Sequence, residues 1–296
     1  MIYSIICLLN GAVIAVMVAI NGVLSGQYGV YPAAVIIHIV GVLFGLGVLT
    51  LRKERVWPAQ KLPLWLFTGG MIGVLTTVAN NIAFGKISMT AIVALGLFGQ
   101  TVASLAVDCF GLFGMEKQSL RLSTAVCLLF SMAGIILMLA GADSSATFAL
   151  LLSIASGISL VVSRLVNSRL ATHSSAMQSS FINHLMGLPI CLFVLFLLGG
   201  AELSAMPAFA AVPWWAYLGG MLGVVVVLLS CIAVPNVSSF QLSLLTFVGQ
   251  VFAGFLLDVL LHKGYSQKTF IGGLLVATGI CANIILERIW KKKKSI

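Results

Sequence analysis

Apolar residues along this chain neither alternate nor keep to one helical face. They run in blocks of about 20, each closed by a short break rich in polar residues, glycine or proline. The blocks fall at approximately 2–24, 32–51, 63–84, 89–109, 121–141, 146–166, 177–199, 213–234, 238–260 and 269–290. A helix rises about 1.5 Å per residue, so each block can cross a hydrocarbon layer roughly 30 Å thick. Helices also satisfy their own backbone polar groups where no water is present. The pattern predicts an all-α integral membrane protein with ten transmembrane helices, and the short connections leave no room for a separate extramembrane domain.

Composition agrees. Of 296 residues, 60% are hydrophobic and 8% charged, against roughly 25% charged in soluble domains. The net charge of +9 follows orientation and is no nucleic-acid footprint. If the predicted spans are threaded from the N-terminus, its face holds Arg52, Lys53, Arg55, Lys61, Lys117, Arg121, Arg164, Arg169, Arg288 and Lys291 to Lys294, against Lys86, Lys263 and Lys268 opposite. That bias places both termini in the cytoplasm and the protein in the cytoplasmic (inner) membrane. The four terminal lysines read as an anchor on anionic lipid. Trp57, Trp65, Trp214, Trp215 and Trp290 fall at span ends or in loops, at headgroup depth. The first apolar run is too long for a signal-peptide core and is read as the first span. Six scattered cysteines without a Cys-x-x-Cys pair read as apolar filler, so no metal or other cofactor is expected.

The chain repeats itself. Residues 63–108 align with 213–258 without a gap, pairing Gly69-Gly70 with Gly219-Gly220, Gly99-Gln100 with Gly249-Gln250 and Asp108 with Asp258. Further upstream the register pairs Asn21 with Asn167, His38 with His184 and Gly41 with Gly187. The seam lies near Asp143 to Thr147, giving a first unit over 1–143 and a second over 144–296 with the basic tail. Five spans per unit is an odd number, so the second copy enters the bilayer from the opposite face. Such inverted repeats underlie alternating access in many carriers. The glycine pairs spaced four apart, including Gly41 with Gly45, Gly69 with Gly73 and Gly219 with Gly223, read as seams of close helix packing.

Val166-Asn167-Ser168-Arg169-Leu170, the following His184-x-x-Gly187 and the Gly-Gln-x7-Asp endings at Asp108 and Asp258 resemble the YdcZ-type branch of the drug/metabolite transporter superfamily. The resemblance covers essentially the whole chain, in the form of a fused pair of five-span halves. It implies an EamA-like ten-helix carrier fold and no particular substrate. Two departures stand out. His38 and His184 occupy positions where asparagine is expected more often. The first span also lacks the glutamate that exchanges protons for cations in small multidrug-resistance relatives, which argues against antiport by that route.

Several polar residues lie within the spans. Gln100 and Gln250 offer uncharged amides near mid-span, fit to orient a polar solute or to join helices. Asn21, Asn167, His38 and His184 complete the candidate solute-binding set. Asp108 and Asp258, eight residues beyond the glutamines, are candidates for gating or proton coupling. Depth counting groups Asp108 with Asn167 and His184, and Asp258 with Asn21 and His38, as two alternating gates. Asn80, Asn81 and Lys86 read as a solvated helix end or an entrance without counterparts in the second half, and Pro189 as a kink in the seventh span.

The function expected is secondary transport of a small organic metabolite or drug-like solute that is neutral, zwitterionic or weakly cationic, since no arginine or lysine is placed near the centre. No nucleotide-binding or hydrolase motif points to ATP drive or to an enzyme. The expected partners are the solute and membrane lipid, and no nucleic acid, with the chain acting as a monomer or homodimer. The alternative is a non-transporting or lipid-handling protein on a carrier-like fold.

Overall fold

Long stretches without a charge become long helices. The structure is a computed structural model describing residues 2–83, 86, 89–118, 122–139 and 147–260, with scattered positions from 267 to 286. Its helices are α1 (Ile2–Tyr28), α2 (Val30–Leu51), α3 (Gly69–Ala83), α4 (Met89–Phe110), α5 (Leu122–Leu139), α6 (Thr147–Thr172), α7 (Ala176–Leu198), the short α8 (Gly200–Ser204), α9 (Gly219–Ala233) and α10 (Ser239–Leu260). Among the described residues no strand occurs. Among the described residues six segments are long and apolar enough to cross a membrane: Ile2–Tyr28, Val30–Leu51, Leu64–Ala83, Phe148–Thr172, Ala176–Leu198 and Trp214–Asn236. Shorter apolar helices lie at Leu95–Phe110, Ala125–Gly134 and Ser239–Gly254. Most of the tenth predicted span, most of the seam and the lysine tail lie outside the described residues. Pro189 sits inside α7 without ending it.

The helix ends follow local chemistry. α3 and α9 are each preceded by a 3-10 turn, Leu64–Phe67 and Trp214–Leu218, whose N-caps are Pro63 and Pro213. Proline fixes φ and has no N–H to satisfy there. α1 and α2 are separated by Gly29 alone, at φ 88°, a conformation that glycine adopts without penalty. Space also demands glycine, because a Cβ at Gly29 would meet the Glu202 carboxyl group. Glu202 Oε2 accepts the Tyr31 N–H at 2.9 Å and so caps α2. At the start of α7, Ser175 and Gln178 form a reciprocal capping box, and Ser175 Oγ donates to Glu54 Oε2 at 2.7 Å.

Most close crossings join the two halves of the chain. Gly41 of α2 packs on His184 of α7, Gly187 of α7 packs on His38 of α2, and Gly45 faces Phe181. Rising numbers on α2 meet falling numbers on α7, so these equivalent helices run antiparallel. α4 and α10 behave alike: Ser104 Oγ meets Ser243 Oγ at 2.7 Å, while Asp108 reaches Ser239 and Phe240. Around these two crossings the contacts come in exchanged pairs. Gly11 of α1 abuts the Thr246 carbonyl of α10, and Gly157 of α6 abuts the Gly96 carbonyl of α4. Gly219 of α9 sits against Asn21 of α1, and Gly69 of α3 against Asn167 of α6. The small-residue seams read from sequence thus bring together helices of opposite halves, as close packing in lipid requires.

Candidate functional site

A polar level crosses the bundle where α4 passes α10. The Ser104–Ser243 and Asp108–Ser239 contacts fix their register, which puts Gln100 and Gln250 at levels about one turn apart along the two helices. Gly157 lies beside Gln100, and Gly11 beside Gln250, bringing α6 and α1 to the same level. There α1 meets α9 through Asn10 Nδ2, which donates to Ser230 Oγ at 3.0 Å. α6 meets α3 through Ser156 Oγ, which donates to Asn80 Oδ1 at 3.0 Å. Asn10 corresponds to Ser156 in the duplication and Ser230 to Asn80, so the two halves make the same amide–hydroxyl bond with the residue types exchanged. Asn80 therefore has its counterpart after all. Asn81, buried, donates to the Val30 carbonyl at 3.4 Å. These two belong to packed helix surfaces and not to a solvated end; Lys86 alone of that trio is exposed.

Buried acceptors remain free at this level. Asn10 Oδ1, Gln100 Oε1, Thr101 Oγ1 and Thr246 Oγ1 have no hydrogen-bond partner among the described residues. An unmet buried polar group costs roughly 1–3 kcal/mol, so a solute offering N–H or O–H groups recovers that cost by binding. Gln250 is half-buried.

His38 and His184 meet at the α2–α7 crossing, with ring centroids 5.7 Å apart. His38 Nδ1 donates to the Ala34 carbonyl at 2.8 Å, and His184 Nδ1 to the Ser180 carbonyl at 3.0 Å. Each bond reaches back one helical turn and fixes the ring, turning its other edge toward the opposite half. Cys191 Sγ lies 3.3 Å from His38 Nδ1. Because the rings form one pair, they cannot serve two gates on opposite faces, as depth counting along separate spans suggests. Counting levels misses that the pairing of His-x-x-Gly segments draws both imidazoles to the crossing.

Asn167 Nδ2 donates to Asn183 Oδ1 at 2.7 Å and to Ser163 Oγ at 3.3 Å. Asn21 lies against Gly219, its Oδ1 buried without a partner among the described residues. Asp108 is buried, and its two oxygens accept the Ser239 and Phe240 N–H groups at 3.0 and 2.9 Å. It thus caps the start of α10, where the helix dipole favours an anion. From its own helix alone, at the unfavourable C-terminal end, this compensation is invisible. No described hydrogen bond joins it to Asn167 or His184. Asp258 lies in α10, and its side chain falls outside the described residues.

Arg164 departs furthest from its sequence reading. Grouped there with the charges of the N-terminal face, it is 5% exposed. Its Nη2 donates to Ser243 Oγ at 2.7 Å, while its Nε has no partner among the described residues. A guanidinium does lie within the helix bundle, contrary to the expectation of an uncharged centre. Charge counting by loop position could not find it, because burial depends on how α4, α6 and α10 cross.

The comparisons with known proteins fit a duplicated membrane protein. A family model described as "Putative inner membrane exporter, YdcZ" matches residues 2–137 and again 148–282. No curated protein matches the chain. A solved crystal structure superposes with a TM-score of 0.67 at 17% identity, covering 98% of this chain and 97% of that one, which shows a shared fold.

Proposed function

The chain belongs to the YdcZ family of the drug/metabolite transporter superfamily and is a multi-pass inner-membrane transporter, and from that premise we propose that it is a secondary carrier working by alternating access. It has ten spans in two inverted five-span units, 1–143 and 144–296, and both termini are cytoplasmic. The observation that carries this reading is the exchange of contacts between halves. Antiparallel crossings of the equivalent helices α2 with α7 and α4 with α10 are what an axis in the membrane plane demands. When two halves can trade roles, states open to either side have similar energies.

The solute binds at the polar level. Gln100, Gln250 and the Asn10–Ser230 and Ser156–Asn80 pairs hold it, while His38 and His184 hinge the halves at their crossing. The carrier is not an enzyme and requires no cofactor. The test is a melting-temperature screen of the purified protein against amines, amino acids, carboxylic acids and nucleosides, since a ligand that binds the folded state stabilises it by mass action. Hits are then followed as flux into liposomes. A hit whose stabilisation and flux are lost in Gln100→Ala or Gln250→Ala is the expected result. Lipid scrambling by the same liposomes without solute flux would turn the reading to lipid handling.

A further inference from the structure

We infer that Arg164 anchors the carboxylate of the transported solute, which makes carboxylate-bearing molecules, zwitterions above all, the substrate class. The inference rests on the carrier reading and narrows it.

Arg164 holds its charge in a poor setting. The residue is 5% exposed, yet its one described hydrogen bond goes to a neutral hydroxyl, Ser243 Oγ. The helices packed around it surround the guanidinium with mostly neutral groups. α1 offers Cys7, α10 offers Ser243, and α4 offers Ser104 and Asp108. Among the described residues no carboxylate lies within ion-pairing distance of the guanidinium. Asp108 is within electrostatic range, but its oxygens are committed to the Ser239 and Phe240 N–H groups. A buried cation without an ion pair is costly and is retained where it serves binding. The planar fork of guanidinium donors matches the two oxygens of a carboxylate.

Position supplies the rest of the inference. Ser243 shares its level with Ser104, one helical turn along α4 from Gln100, or about 6 Å. A donor-rich guanidinium therefore stands one turn from the free acceptors Gln100 Oε1 and Asn10 Oδ1. That is the span of a small solute with an ammonium and a carboxylate. A single guanidinium favours a monoanion, since a dianion would leave charge unmatched in the bundle. The duplicated position in the first half is Val18, so the anchor belongs to one half only and gives the bound solute a direction.

Matched triplets test this: leucine, 3-methylbutylamine and 4-methylpentanoate, then phenylalanine, phenethylamine and 3-phenylpropionate. For wild-type protein the expected result is a rise of a few degrees in Tm with the amino acid or acid of at least one triplet, and none with its amine. Arg164→Gln abolishes that rise, and Arg164→Lys retains part of it. Stabilisation by amines alone, or by no carboxylate, overturns the inference. Should Arg164→Gln fail to fold, the wild-type triplets still decide. Liposome flux of an amine that ignores the carboxylate would leave the carrier standing and remove Arg164 from solute recognition.

Discussion

Individual glycines carry the contact between the halves. At Gly41 and Gly187 a Cβ would strike the imidazole of His184 or His38, and both rings are pinned by their own backbone hydrogen bonds. The rings have little freedom to retreat, so Gly41→Ala or Gly187→Ala overpacks the crossing and costs about 1–3 kcal/mol. Gly47, on the same helix as Gly41, has nothing within 4 Å of a Cβ. There alanine should be neutral or slightly stabilising through its better helix propensity. Detergent-solubilised variants compared by thermal unfolding check the pair, and equal Tm losses at Gly41 and Gly47 would count against crowding as the cause. Sequence shows the repeated His-x-x-Gly segments but not that each glycine receives the other segment's histidine. That information lies in the crossing and in no single helix.

Among the elements, α10 depends on a residue of α4. Its first N–H groups are buried and unmet by its own turns, as at any helix start, and Asp108 accepts two of them. Asp108→Ala should cost about 2 kcal/mol, at the upper end for loss of a cap, and Asp108→Asn should recover part of it with a neutral oxygen. Faster amide exchange confined to the first turn of α10 is the expected signature. The all-helical membrane character and the duplication were legible in the chain because charge exclusion and the repeated glycine pairs mark them directly. Correspondence between polar residues of the two halves was legible only where both copies kept the same type, and even there, as at His38 and His184, the contact itself was not. Asn10 and Ser156, with Ser230 and Asn80, exchanged theirs, so the bond persisted while the sequence match vanished. Arg164 was misplaced for a related reason: sequence gives its distance from a helix end, whereas α4, α6 and α10 together determine its burial.

At the scale of the whole molecule, two carboxylates beyond equivalent helices clasp opposite ends of the bundle. Glu202, after α7, holds the N-terminus of α2, and Glu54, after α2, holds the cap of α7. The α2 start and the α7 start lie on opposite faces if the units are inverted, so each glutamate secures one face to the other half. Both clasps are closed here. A carrier opening to one side must release the clasp on that side, whereas a static scaffold need release neither. Bridging Tyr31→Cys to Glu202→Cys with a short thiol cross-linker should therefore stop solute flux, and reduction should restore it. The same treatment of Glu54→Cys with Ser175→Cys should stop flux independently, because a full cycle needs both openings. Flux that survives either verified bridge would rule out release of that clasp as a step in transport.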